Sequence, residues 1–210
     1  LRPTPDTSYR FVTRAPANYD GPRPVVIGAG PCGLLAALIL AQMGFRPIII
    51  ERGKAVRERT KDTWGLWRRA VLNPESNAQF GEGGAGTFSD GKLYSRIKDP
   101  RHLGRKVLVE FVKAGAPDEI LTEAHPHIGT FRLVTMVMSI RETIEALGGE
   151  YRFETRVDDF DISTAADGTR TMRGLHLSNG EYLPAEHVIM AVGHSARDTF
   201  YKLHDRGVHI

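Results

Sequence analysis

The stretch Val25-Val26-Ile27-Gly28-Ala29-Gly30-Pro31-Cys32-Gly33 constrains this chain more than any other part of it. Three β-branched residues after Pro24 suit the start of a buried parallel strand. Gly28, Gly30 and Gly33 follow at the G-x-G-x-x-G spacing. Gly28 allows a tight turn out of the strand, Gly30 lets backbone approach a pyrophosphate, and Gly33 lets the next helix lie close on the sheet. Pro31 and Cys32 fill the turn, and the helix start offers free N–H groups and a partial positive charge to phosphates. Ala37, Leu40 and Gly44 fall where the same pattern expects a small residue, an apolar residue and a helix-ending glycine. Pro47 to Ile50 reads as a second strand, with Pro47 tolerated at its first position. Glu51 closes it 23 residues after Gly28, where a carboxylate accepts from adenosine ribose hydroxyls and disfavours a 2′-phosphate. Strand, glycines, helix and acid in this order predict a βαβ unit that binds a dinucleotide.

Length and charge narrow the class. A chain of 210 residues holds one domain of good size or one and a half. Its 28 basic and 25 acidic residues leave a net charge of +3, which makes no general field for nucleic acid. Cys32 is the single cysteine, so no internal disulfide forms, and a reducing, cytoplasmic setting is expected. No apolar run reaches the roughly 18 residues that span a membrane. Leu34 to Leu40 is apolar all round, as in a helix buried against a sheet. The chain starts at Leu1 without methionine and stops at Val208-His209-Ile210, which reads as the start of a strand. The expectation is a piece of a longer polypeptide: an extended arm or linker over 1–22, a dinucleotide-binding domain over 23–206, and the beginning of a substrate domain over 207–210.

Beyond Glu51, Gly53 to Arg69 reads as helical, with Trp64 and Trp67 expected in packing. Residues 73–95 form a long loop with five glycines between 81 and 91; successive N–H groups in such a loop can point inward together and cradle a ligand. Phe80, Phe88 and Leu93 supply anchors. Helices are expected over Arg101 to Lys113 and Phe131 to Leu147, the second stopped by Gly148-Gly149, with a short one starting at Pro117-Asp118-Glu119. His125-Pro126-His127 lacks Cys or acidic partners at ligand spacing, so no metal is expected. Glu150 to Ile162 reads as one strand, followed by hairpins at Asp167-Gly168 and Asn179-Gly180 around a strand from Thr171 to Leu177. A strand beginning at Glu181 completes this β-meander, inserted before a last parallel strand from His187 to Ala191. Ser195 and Asp198 are expected to cap a final helix ended by Gly207.

The order of these features resembles the two-dinucleotide-fold flavoproteins of the glutathione-reductase type. More narrowly, Gly83-Gly84-Ala85-Gly86-Thr87-Phe88-Ser89-Asp90-Gly91-Lys92-Leu93 together with Ala191-Val192-Gly193-His194-Ser195-Ala196-Arg197-Asp198 resembles the poorly characterised NAD(FAD)-utilising dehydrogenases, over about residues 23–210. The resemblance implies an α/β, Rossmann-like FAD-binding domain with a parallel sheet and an inserted β-meander. It implies that Gly28, Gly30 and Gly33, with Pro31 and Cys32, hold the FAD pyrophosphate, that Glu51 takes the adenosine ribose and that Arg52 flanks the adenosine. The main chain at Val157 would touch adenine. Gly83, Gly84, Ala85, Gly86, Thr87, Ser89 and Lys92 would lie toward the flavin, and Ala191-Val192-Gly193 would form a turn near the cofactor. Val192 stands where the family has threonine, which removes a hydroxyl but not the turn. The Gly-Asp segment that holds the ribityl chain in such proteins has no counterpart within these residues.

The expected function is an FAD-dependent oxidoreductase or dehydrogenase acting on a small-molecule substrate, with NAD(P)H a candidate electron donor. His194 and Lys92 are the candidates for catalysis by location, though no catalytic residue is assigned. Two alternatives belong to other classes: an FAD-dependent RNA-modifying enzyme using Arg57, Arg59, Lys61, Arg68 and Arg69, and an NAD-binding module without chemistry. The glycine loop and the meander favour FAD over the second alternative. A nucleic-acid partner is not expected.

Overall fold

The computed structural model describes residues 6–94 and 97–210. Residues 1–5 of the expected arm and Ser95 of the expected loop lie outside them. The first unit follows the glycine pattern: β1 (Val25–Ile27), α1 (Pro31–Gln42) and β2 (Ile48–Ile50). Then come α2 (Val56–Arg69), a 3₁₀ turn at Ala85–Phe88, α3 (Leu103–Lys113), a 3₁₀ turn at Asp118–Leu121 and α4 (Thr130–Ala146). The remaining elements are β3 (Glu150–Arg152), β4 (Val157–Thr164), β5 (Arg170–Leu177), β6 (Tyr182–Pro184), β7 (Val188–Met190) and α5 (Arg197–Asp205).

The chain is an α/β fold with a four-stranded parallel sheet in the order β3-β2-β1-β7 and an antiparallel meander β4-β5-β6. Side chains alternate across a strand, and where both faces of the parallel sheet are covered the strands β1, β2 and β7 are apolar throughout, while the edge strand β3 carries Glu150 and Arg152. Val26 and Ile49 face a core with Leu34, Ala37, Leu38 and Ala41 of α1 and Met136, Val137, Ile140 and Ile144 of α4. Val25, Ile27, Ile48 and Ile50 face the opposite way, onto Val157 and Phe160 of β4 and Leu175, Leu177 and Leu183 of the other meander strands. Val157 and Phe160 would alternate to opposite faces in a regular strand. The register shift between Val157 and Asp159 returns both to one side. Residues 6–22 carry no helix or strand; Ala15 donates to the Met43 carbonyl at 2.8 Å, and Tyr19 packs edge-on to Phe45.

Two expectations change. The strand over Glu150 to Ile162 is two strands in different sheets. Between them the main chain is tied to the end of β2: Glu154, at φ 52°, donates to the Gly53 carbonyl and Thr155 to that of Glu51. The helix α5 has no side-chain cap. Ser195 instead donates to Gln79 Oε1 at 3.1 Å, while Asp198 pairs with Arg52. Trp64 and Trp67 pack edge-on to each other, with Trp67 also on Phe88, while staying 45% and 54% exposed. No described helix is long and apolar enough to cross a membrane.

Candidate functional site

A cavity of about 630 Å³ lies across the carboxyl ends of the parallel strands, reaching Ile27, Ile50 and Met190. That is the crevice where open α/β sheets take ligands, and the volume suits one small-molecule site. Gly28, Gly30, Pro31 and Cys32 form one wall. Glycine is required at Gly28, which sits at φ 98° with a Cβ position only 2.4 Å from the Ala191 carbonyl. A Cβ on Gly30 would have Gly84 Cα at 3.8 Å as its nearest neighbour, so that glycine keeps a ligand surface bare rather than relieving a clash. The amides of Cys32 and Gly33 fall in the first turn of α1, where no intrahelical acceptor exists.

Glu51, 4% exposed, reaches this wall from the end of β2. Its Oε2 accepts from the Ala29 amide at 2.7 Å, and its Oε1 from Gly53 at 2.8 Å and Gly81 at 3.0 Å. One carboxylate thereby joins the turn after β1, its own loop and the glycine loop. A carboxylate has about four acceptor positions, so three are engaged by backbone and one on Oε2 stays open.

The glycine loop is shaped from beneath by Arg59, which is fully buried. Its Nε donates to the Asn77 carbonyl at 2.8 Å, Nη2 to that of Ala78 at 3.0 Å, and Nη1 to that of Glu82 at 2.7 Å. Burial pulls its pKa down to about 10, against the opposing pull of Glu51 and Glu82. Glu82, also buried, accepts from the Val56 amide at 2.8 Å and so starts α2, and burial pushes its carboxyl up. Arg59 therefore leaves the basic cluster in which sequence reading had placed it.

At the far end of the cavity stands Arg52. Its Nε donates to Glu75 at 2.7 Å, and Nη1 and Nη2 donate to the two carboxylate oxygens of Asp198 at 3.1 and 2.9 Å. The Phe80 ring lies 4.3 Å from the guanidinium. Arg156 joins the same chain of charges, donating to Glu75 at 2.6 Å and to Asp158 at 2.8 Å.

Of the residues expected to hold a cofactor, Gly28, Gly30, Pro31, Cys32, Glu51 and Arg52 line the cavity. So do Gly84, Ala85, Gly86, Val157, Ala191, Val192 and Gly193. Five do not. Gly33 is packed under the turn, with its Cβ position 1.8 Å from the Gly28 carbonyl. Gly83 is buried and donates to Ala29 at 2.8 Å; Thr87 is buried with its hydroxyl on the Gly84 carbonyl at 3.0 Å. The Ser89 hydroxyl turns back to the Gly86 carbonyl at 2.7 Å. Lys92 points to solvent beside Asp90 and pairs with His127 in an isolated bridge. His194 lines the cavity. Gln79, Phe80 and Gly81, and Thr199 and Phe200 of α5, line it too without having been expected there. Phe80 had been read only as a loop anchor, and no local pattern marks a residue that becomes a wall through a contact across the fold. Among the described residues no group of His, Cys, Asp and Glu could hold a metal.

Residues 23–76 match the family model described as FAD binding domain. An uncharacterized protein of Clostridium beijerinckii is 47% identical over 186 residues, which cover 89% of this chain and 33% of that protein; the chain spans about a third of the length of this curated relative. The crystal structure of Thermovibrio ammonificans THI4 superposes with a TM-score of 0.58 at 18% identity, covering 90% of this chain and 64% of that one. This likeness is one of fold. A weaker one, with a TM-score of 0.48 at 14% identity over 85% of this chain and 48% of the other, is to 3-ketosteroid-delta4-(5alpha)-dehydrogenase of Rhodococcus jostii RHA1.

Proposed function

We propose that this chain is the FAD-binding part of a flavin-dependent oxidoreductase of the glutathione-reductase-like, NAD(FAD)-utilising dehydrogenase type. The observation that carries the reading is the continuous wall of bare backbone from Gly28 and Gly30 to Gly84–Gly86, with Glu51 tying the two glycine segments together. The residues fit the cofactor. The space beside Gly30 is open, a Cβ on Gly86 would meet nothing within 4 Å, and the first-turn amides of α1 are free for an anion.

In this reading Gly28, Gly30, Pro31 and Cys32, with the α1 amides, hold the pyrophosphate. Glu51 presents its remaining acceptor to the ribose, and the main chain at Val157 meets adenine. Gly84–Gly86 and Ala191–Gly193 wall the flavin end. FAD bound there would supply the hydride and electron chemistry, and the protein supplies position, electrostatics and exclusion of water. NAD(P)H is the proposed electron donor, a small molecule the proposed substrate, and the cytoplasm the proposed location, supported by a lone cysteine without a disulfide partner.

The test is an absorption spectrum of the protein as purified, followed by release and identification of any bound chromophore. Flavin bands from released FAD are expected. A colourless protein that takes up no FAD in a titration would overturn the reading.

A further inference from the structure

The two guanidinium groups that line the adenosine end of the cavity are both already engaged by carboxylates. Arg52, its side chain 14% exposed, contacts Glu75 and Asp198 through three hydrogen bonds, with the Phe80 ring 4.3 Å from its centre. Arg156 contacts Glu75 and Asp158. The residue before Arg52 is Glu51, whose carboxylate also lines the cavity. In dinucleotide folds an arginine next to this acid is the group that receives a 2′-phosphate.

We infer that Glu75 and Asp198 are specificity-determining residues that occupy Arg52 and so restrict the cavity to an adenosine ribose with a free 2′-hydroxyl. The inference rests on the proposed dinucleotide site and deepens it. A 2′-phosphate would meet the Glu51 carboxylate and find each nearby guanidinium bound to two carboxylates. Displacing Asp198 would also break the bidentate pair that holds the start of α5 against the end of β2. A neutral hydroxyl needs neither change, because it can donate to the remaining acceptor position on Glu51.

The experiment compares ADP with adenosine 2′,5′-bisphosphate by calorimetric titration of the cofactor-stripped protein, with FAD as a third titrant. The wild type is expected to prefer ADP by about tenfold or more at low salt. The preference should fall toward unity as salt screens the like charges, which shape exclusion alone would not produce. The double variant E75Q/D198N should lose most of the preference by gaining affinity for the bisphosphate. Equal wild-type affinities, a salt-independent preference, or a folded double variant that keeps the full preference would each overturn the inference. Should the double variant fail to fold, the single variant D198N, which frees Nη1 and Nη2 of Arg52, decides by the same ratio, and an unchanged preference in it overturns the inference. Binding of FAD and ADP without discrimination leaves the cofactor reading standing and removes only this one, whereas binding of neither overturns the cofactor reading and this one with it.

Discussion

Glu51 Oε1 accepts the amide of Gly81 at 3.0 Å, across 30 residues of sequence, while Oε2 accepts the amide of Ala29 in the turn after β1. A residue expected to meet a ribose is thus also the clasp between the two glycine segments that wall the site. Its loss should act on loop and ligand together.

Glu51→Gln keeps the shape but turns an acceptor oxygen into a donor facing backbone N–H groups. FAD affinity should fall by about 1.5–3 kcal/mol, the range for hydrogen bonds to a charged group. The same change should lower unfolding stability by a similar amount. Titration calorimetry and urea denaturation on one preparation check both. A variant weakened in binding but with wild-type stability would show that the clasp contributes nothing to the fold.

Gly30→Val and Gly33→Ala should separate ligand from fold. A Cβ at Gly30 has only ordinary contact with Gly84, so the variant should fold and lose dinucleotide binding. At Gly33 even one methyl would press on the Gly28 carbonyl and force α1 off the sheet, so Gly33→Ala should lose stability first. Circular dichroism melting beside an FAD titration distinguishes the two outcomes.

Arg59→Met removes a buried cation and leaves the carbonyls of Asn77, Ala78 and Glu82 without their donor. Removing one partner from a buried charged network costs about 3–5 kcal/mol. Denaturant unfolding should show a loss of that order, and proteolysis should cut first in the loop around 77–88.

Acidification should loosen α5. Burial is the largest influence on the Glu75 and Asp198 carboxyls and pushes them up, but the hydrogen bonds and charge of Arg52, joined at Glu75 by Arg156, outweigh it and hold both below their ordinary values. With the folded values lower, the unfolded chain binds more protons. The stabilisation is therefore complete above the ordinary values of 4.5 and 3.8 and lost as pH falls through the lower folded ones. The melting temperature of the wild type should drop more steeply below about pH 4 than that of Asp198→Asn. Parallel curves would remove Asp198 from the linkage.

The glycine turn, the first two strands, the meander hairpins and the helix stops could be read from residue order, because each depends on local dihedral freedom and side-chain periodicity. Gly28, Asp167-Gly168 and Asn179-Gly180 carry that information within a few residues. The split at 153–156, the burial of Arg59, the triple use of Glu51 and the capture of Asp198 by Arg52 could not be read that way. Each depends on which segments the sheet order β3-β2-β1-β7 brings together. Arg52 and Asp198 are 146 positions apart, and Ser195 and Asp198 look like helix caps to any local rule. Only once β7 lies beside β1 does the start of α5 reach the end of β2, where pairing with a half-buried guanidinium takes the place of a backbone cap. The sequence alone determined the kind of site, through glycines whose freedom is intrinsic. Tertiary structure decided its electrostatics, because a charge acquires its partner only when distant backbone is brought within hydrogen-bond reach.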